Sequence, residues 1–122
     1  MRELNLVYHF SCVILFFIIT KKEFKRLFVE SNVIDFCSKL KFVTGKMFLA
    51  SDSLIGEHTN ELDIALSISE EQIQLVMNNN FILSALNNCP TNTISVRLSK
   101  TRKVIIIKSI GSEWTCSIAG MG

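Results

Sequence analysis

Apolar positions at the start of the chain form an almost unbroken run. Residues 6–19 are nearly all apolar, with interruptions at His9 and Ser11. The last part of this run, residues 13–20, is rich in β-branched and aromatic side chains and ends at a helix signal. A run of this length and composition predicts a strand that is buried on both faces.

A basic amphipathic helix is predicted directly after this strand. Thr20 and Glu23 have the spacing of a capping box, in which the hydroxyl accepts a hydrogen bond from the Glu23 amide and the carboxylate reaches back to the Thr20 amide. Apolar residues then follow at helical spacing, and cations occupy the other side of the helix. The apolar residues are Phe24, Leu27 and Phe28, and the cations are Lys21, Lys22, Lys25 and Arg26.

Three strands are predicted after this helix. Apolar and polar residues alternate on both sides of Gly45, which is typical of a hairpin that turns near this glycine. Past Gly56, apolar residues at every second position predict another strand. The alternating apolar positions are Leu40, Phe42, Met47 and Leu49 in the hairpin and Leu62, Ile64, Leu66 and Ile68 in the third strand.

The same order of elements is predicted a second time. Residues 73–77 alternate as a strand, residues 78–80 supply a helix N-cap, and a short apolar helix face follows at Phe81, Ile82, Ala85 and Leu86. Further apolar positions predict strands at residues 96–99, 104–107 and 114–118. Residues 13–66 and 72–119 therefore form an internal repeat of strand, helix and three strands. Antiparallel strands with two short helices on one side make an α+β fold.

Size and composition indicate one folded domain. The chain has 122 residues, of which 48% are hydrophobic and 20% charged, and its mean hydropathy is +0.35. This length accommodates one hydrophobic core, and the composition is far from that of disordered chains. We expect a single domain at residues 13–122 after an N-terminal extension at residues 1–12. Because the net charge is only +2, any site for a polyanion must be local.

No constellation of catalytic or metal-binding residues is visible in the sequence. The four cysteines contain no C-x-x-C pair, and the two histidines lack partners at metal-site spacing. Residues 51–53 are interpreted as a turn, and the sequence has neither a nucleophile elbow nor Walker glycines. We therefore predict a cytoplasmic protein with reduced thiols and without catalytic activity, metal or cofactor.

Two segments resemble the third domain of a bacterial sliding clamp, the β subunit of DNA polymerase III. Residues 39–66 resemble the family's hairpin and its A-x-(x)-x-x-x-G-E turn, with matches at Ala50, Gly56, Glu57 and Glu61. Residues 76–86 resemble the family's FN-x-x-Y-L-l-d-a-L segment, with Met77 in place of the Phe, Asn78 as the Asn, Phe81 in place of the Tyr and Leu86 as the final Leu. The strands at residues 94–98 and 104–107 also match the family's order, so the resemblance extends over about residues 13–119.

The resemblance implies a non-enzymatic DNA-clamp-like domain of two β-α-β-β-β repeats that acts in DNA replication as a polymerase processivity factor. Its partners would be duplex DNA, bound weakly and without sequence specificity, a DNA polymerase or clamp loader, and other clamp domains or further copies of itself. Clamps hold DNA by nonspecific electrostatic contacts, so the DNA-binding candidates are Lys21, Lys22, Lys25 and Arg26. A solvated helix face is the alternative interpretation of this cluster.

The C-terminus carries the candidates for partner binding. In the family, a Met-Pro-centred tail helps to form a hydrophobic pocket for polymerase and clamp-loader peptides. The corresponding residues here are Ile118, Ala119 and Met121, although the proline is missing. The second predicted helix also lacks Lys and Arg, and the chain has room for one of the family's three domains. We therefore expect a truncated or diverged domain that cannot form a ring by itself.

A different class of protein is the alternative interpretation. The apolar run at residues 6–19 would then anchor a small, non-catalytic protein in the membrane, with the basic cluster that follows on the cytoplasmic side. The run is about 14 residues long, whereas a spanning helix needs about 20.

Overall fold

The order strand, helix and three strands occurs twice along the chain. The computed structural model describes residues 13–34, 37–53, 56–66, 68, 71–99 and 104–121. The first series is β1 (Val13–Thr20), α1 (Lys21–Ile34), β2 (Cys37–Val43), β3 (Lys46–Ser53) and β4 (Gly56–Asp63). The second series is β5 (Ile73–Asn78), α2 (Asn79–Asn88), β6 (Thr93–Ser99), β7 (Val104–Ser109) and β8 (Thr115–Ala119). The predicted internal repeat is confirmed.

The strands form two antiparallel sheets of four. Their orders are β1-β6-β7-β8, called here the first sheet, and β4-β3-β2-β5, called the second sheet. Each sheet takes one strand from one repeat and three from the other, because β1 pairs with β6 and β5 pairs with β2. The repeats therefore exchange their first strands. The α+β fold of two β-α-β-β-β units is held together by these two strand pairs, each of which joins one repeat to the other.

Both helices pack against each other and against the strands. The predicted apolar stripe of α1 is completely buried at Phe24, Leu27 and Phe28, and that of α2 is completely buried at Ile82 and Leu86. The short helices are stabilised by this packing, because isolated helices of 14 and 10 residues are marginal in water.

Local signals in the sequence set the start of each helix and the hairpin turn. The amide of Glu23 donates to Thr20 Oγ1 at 3.3 Å, and the amide of Asn80 donates to Asn78 Oδ1 at 2.9 Å. These bonds satisfy one N-terminal amide in each helix, and the first of them is the hydroxyl half of the predicted capping box. Between β2 and β3, Gly45 has a φ of 84°, a conformation that favours glycine.

The first strand is buried on one face, not on both as predicted. Leu15, Phe17 and Ile19 point into the core, whereas Phe16 is 44% exposed and Ile18 is 54% exposed. The outer face of β1 is partly shielded by Arg97, whose guanidinium lies 5.2 Å from the centre of the Phe16 ring. Burial on both faces requires a second packed layer, and the described elements place both helices on the inner side.

Two further predictions about the strands are wrong. The third strand of the first repeat ends at Asp63, so it includes Leu62 but not the other three apolar positions of the prediction, Ile64, Leu66 and Ile68. Ile64 and Leu66 are nevertheless buried, because their backbone groups bond to Gly45 at the hairpin turn, with N···O distances of 3.0 and 2.9 Å. Residues 51–53 belong to β3 instead of a turn, since β3 pairs with β4 as far as Ser53.

The membrane interpretation placed residues 6–19 in one apolar segment. Residues 13–19 are part of β1, and residues 6–12 lie outside the described residues, as does the whole predicted extension at 1–12. In the described ranges, no helix has both the length and the apolarity needed to cross a membrane.

Candidate functional site

The four predicted DNA-binding cations lie together at the start of α1. They surround a groove of about 750 Å³ between this helix and the segment that leads from α2 into β6. The groove is lined by Thr20, Lys21, Lys22, Glu23, Lys25, Arg26, Asn92 and Thr93. The cap at Thr20 fixes where the helix begins and therefore which side of it the cations occupy.

The cations of this groove differ in their surroundings. Lys22 and Arg26 are exposed, and Lys25 is half-buried. Lys21 is also half-buried, and its Nζ donates to the carbonyl oxygen of Cys89 at 2.9 Å. Its backbone amide donates to the carbonyl oxygen of Asn92 at 2.7 Å.

Cys89 is the C-cap residue of α2, so Lys21 binds a carbonyl at the negative end of that helix. Lys21 thus ties the start of α1 to the end of α2. Lys22, Lys25 and Arg26 remain as the cations directed at the groove.

A second groove, of about 480 Å³, lies between α2 and β8 and holds two of the three partner-binding candidates. Ile118 is buried at its floor, and Ala119 is exposed at its end. Its wall on the helix side includes Phe81, Ser84, Ala85 and Asn88, and its strand side includes Trp114, Thr115, Cys116, Ser117, Ile118 and Ala119. We call this surface the α2–β8 groove.

The third candidate, Met121, does not line this groove. Its amide donates to the carbonyl oxygen of Val76 at 2.8 Å and forms an isolated bridge to β5. The Cys37 thiol lies 3.3 Å from the Met121 sulfur. The end of the chain therefore crosses from the first sheet to the second and places Met121 apart from Ile118 and Ala119.

Two aromatic residues of the α2–β8 groove are not fully buried, although Phe81 belongs to the predicted apolar face of the second helix and Trp114 to a predicted strand. Phe81 is 60% exposed on α2, and Trp114 is half-buried beside β8. The buried residues of α2 are Asn79, Ile82, Ala85 and Leu86. Phe81 is not among them, so it lies at the margin of the apolar face. Apolar residues at i, i+1, i+4 and i+5 span a wide arc of a helix, so a residue at the edge of that arc is the one most easily left exposed. This position is the signal in the sequence that could have indicated the exposure of Phe81.

The remaining candidate groups are clusters of metal-binding side chains, thiols and further cations near the two grooves. Within the described part of the chain, no group of three His, Cys, Asp or Glu side chains has the proximity needed to hold a metal ion. Cys37, Cys89 and Cys116 are free thiols, and Cys12 lies outside the described residues. The α2 helix contributes no cation to either groove.

Comparisons with known proteins identify the fold. Neither the scan against protein-family models nor the search of curated proteins returned a match. Among solved structures, the DNA polymerase III β subunit of Thermotoga maritima matches with a TM-score of 0.81 and 18% identity, over 91% of this chain and 31% of that one. The β subunit of Pseudomonas aeruginosa matches with a TM-score of 0.77 and 11% identity, over 88% and 30%.

A third structure is the Helicobacter pylori β clamp bound to a DNA ligase peptide, with a TM-score of 0.75 and 20% identity over 90% of this chain. This chain spans about 30% of the length of the clamps that it matches. Identities this low establish a shared architecture. The two interleaved β-α-β-β-β repeats are thus a clamp-like domain, with the fold of one domain of the DNA polymerase III β subunit.

Proposed function

We propose that this protein is a sliding-clamp domain that serves DNA replication as a non-enzymatic processivity factor. The proposal is carried by one observation: a chain with the clamp-domain fold presents its cluster of helix cations around a single groove on α1. In this role it works in the cytoplasm and helps to retain a DNA polymerase on duplex DNA.

The groove on α1 supplies electrostatic contacts to the phosphate backbone. Lys22, Lys25 and Arg26 are directed at the groove, while Lys21 is already bonded to α2. Three phosphate contacts give a slope of about −2.7 in log K against log salt, and four give about −3.6. A patch of this size holds DNA weakly, in the millimolar range at physiological salt. Tight retention therefore depends on enclosure of the DNA by several domains.

The edge strands of the two sheets are the proposed contact surfaces with other clamp domains or with further copies of this protein. β4 ends the second sheet and β8 ends the first, and the two strands are equivalent in the two repeats. Unpaired edge strands associate readily with other strands. Pairing of β8 with the β4 edge of a neighbouring domain is a head-to-tail contact, which closes into a ring when the rotation permits.

The α2–β8 groove is the proposed docking site for an apolar segment of a polymerase or clamp loader. Its floor at Ile118 is apolar, and Phe81 and Trp114 flank it. A related architecture, the H. pylori clamp, has been solved with a DNA ligase peptide. Met121 contributes indirectly to this site, by fixing the end of β8 against β5.

The DNA proposal is tested by titrating a fluorescent 20-base-pair duplex at several low salt concentrations and measuring anisotropy. Lys25→Ala combined with Arg26→Ala should reduce the salt slope by about 1.8 and weaken binding equally for unrelated sequences. The matched control is Lys46→Ala combined with Lys108→Ala, which removes two cations from β3 and β7, outside the groove on α1. Equal losses in both double variants would contradict a site on α1.

A further inference from the structure

The outer face of the second sheet carries a second cationic groove, remote from both helices. Lys39 and Lys41 lie on β2, with Phe48 and Ala50 beside them on β3 and Gln74 beside Lys41 on β5. These residues and Thr59 of β4 line a groove of about 320 Å³, together with Leu40. The side chain of Leu40 itself is buried on the inner face.

The two lysines are available to a ligand. No ion pair joins either ammonium group to a described carboxylate, whereas Lys46, on the same face, lies 3.4 Å from Glu61 and 3.8 Å from Asp63. The cross-strand neighbours of Lys39 and Lys41 are all uncharged: Ala50, Val76, Phe48 and Gln74. Glu61 and Asp63 thus neutralise Lys46 at one corner of this face, and no carboxylate whose side chain the structure describes forms an ion pair with Lys39 or Lys41.

The Phe48 ring orients one of these cations. The Nζ of Lys41 lies 5.0 Å from the centre of the ring, within the range of a cation–π contact. A cation held in this way keeps N–H donors for an oxygen ligand on its solvent side. The same contact covers one face of the ring, which then offers no bare platform on which a nucleic-acid base can stack.

We propose that this groove binds an acidic peptide segment in an extended conformation, with carboxylates at every second residue. Lys39 and Lys41 are two positions apart on one face of a strand, so their backbone attachment points are about 6.6 Å apart. Carboxylates at i and i+2 of an extended peptide have the same repeat and also lie on one face. Ala50 and Thr59 are small, so a peptide backbone can approach the sheet between the cations and β4.

The test is a titration of the ¹⁵N-labelled full chain with two unlabelled, end-capped peptides of equal composition at low salt. One is Ala-Glu-Val-Glu-Val-Ala, with carboxylates at i and i+2, and the other is Ala-Glu-Glu-Val-Val-Ala. We expect amide shifts at β2, β3 and β5 with the first peptide, and at least threefold weaker binding of the second. Combining Lys39→Gln with Lys41→Gln should weaken binding of the first peptide at least fivefold.

The matched control is Lys108→Gln, a lysine on β7 in the other sheet, which should leave the affinity unchanged. Circular dichroism verifies that the variants are folded. Equal binding of the two peptides, or an equal loss in the Lys108 variant, would show attraction to net charge alone and would overturn the proposal. Tighter binding of a twelve-residue thymidine oligonucleotide at the same amides would overturn it in favour of a nucleic-acid site.

Discussion

A buried cluster of polar side chains joins four elements at the level of single residues. The hydroxyl of Ser31 on α1 hydrogen-bonds to those of Ser38 on β2 and Ser51 on β3. Ser38 Oγ also donates to Asn79 Oδ1 at the start of α2, at 2.6 Å. All four side chains are buried, so these bonds replace the hydration that the groups lose on folding.

Removal of Ser38 from this cluster should be costly. Ser38→Ala takes one hydrogen-bond partner from both Ser31 and Asn79 in a buried site, which should lower the free energy of unfolding by about 1–3 kcal/mol. Urea unfolding followed by circular dichroism measures this difference. Ser117→Ala, at an exposed position on β8, should change it by less than about 0.5 kcal/mol. Similar values for the two variants would contradict a stabilising role of the cluster.

Lys21 and Lys22 are neighbours with different expected roles. Lys21→Ala loses the hydrogen bond to Cys89 and should destabilise the fold by about 0.5–1.5 kcal/mol. Lys22→Ala should leave stability within about 0.5 kcal/mol of the original but reduce the salt slope of DNA binding by about 0.9. Thermal unfolding and duplex anisotropy on both variants separate the two roles. The assignment fails if Lys21→Ala has the larger effect on the salt slope.

At the level of secondary-structure elements, the edge strand β8 is expected to determine whether the protein self-associates. β8 has five residues, and its side chains at Thr115, Ser117 and Ala119 are exposed. None of these residues is charged, and a charged residue on an edge strand is one way in which proteins prevent strand pairing between molecules. The chain as it stands has no such protection on β8.

We therefore expect the protein to self-associate with increasing concentration. Ser117→Lys places a charge on the β8 edge and should weaken association, as measured by sedimentation velocity across micromolar concentrations. Asn87→Lys adds the same charge at an exposed position of α2 and serves as the control. A wild-type protein that stays monomeric up to several hundred micromolar would count against assembly through an open edge.

At the scale of the whole molecule, the exchange of first strands makes the two repeats interdependent. β1 pairs with β6 from Thr20–Thr93 to Val13–Ser99, and β2 pairs with β5 over six residue pairs. Neither repeat alone can complete a four-stranded sheet, and the two helices, one from each repeat, pack against each other.

Separated halves should therefore be unfolded. Peptides comprising residues 13–68 and 71–121 should each lack ordered secondary structure by circular dichroism, and an equimolar mixture should recover the spectrum of the intact chain. The reason is that burial of the β1 and β5 apolar faces, about 1.5–3 kcal/mol for each fully buried large side chain, is available only in the complete pair. A cooperative thermal transition in either isolated half would show that the repeats fold independently.

The order of the elements and the repeat are visible in the sequence because they depend on neighbours a few positions apart. Helix capping at Thr20 and Asn78, the turn at Gly45 and the burial of Phe24, Leu27 and Phe28 all follow from such local patterns. The cluster of cations on α1 is visible for the same reason, since its three lysines and its arginine lie within six consecutive residues of one helix.

Other features depend on residues that are distant along the chain, and no local pattern encodes them. The exposed face of β1, the end of β4 at Asp63 and the separation of Met121 from Ile118 follow from which strands and turns meet. The bond from Lys21 to Cys89 spans 68 positions, and the serine cluster joins elements that alternation alone cannot bring together. Periodicity specifies which face of an element is apolar, but the pairing of β1 with β6 and of β5 with β2 determines what each face contacts.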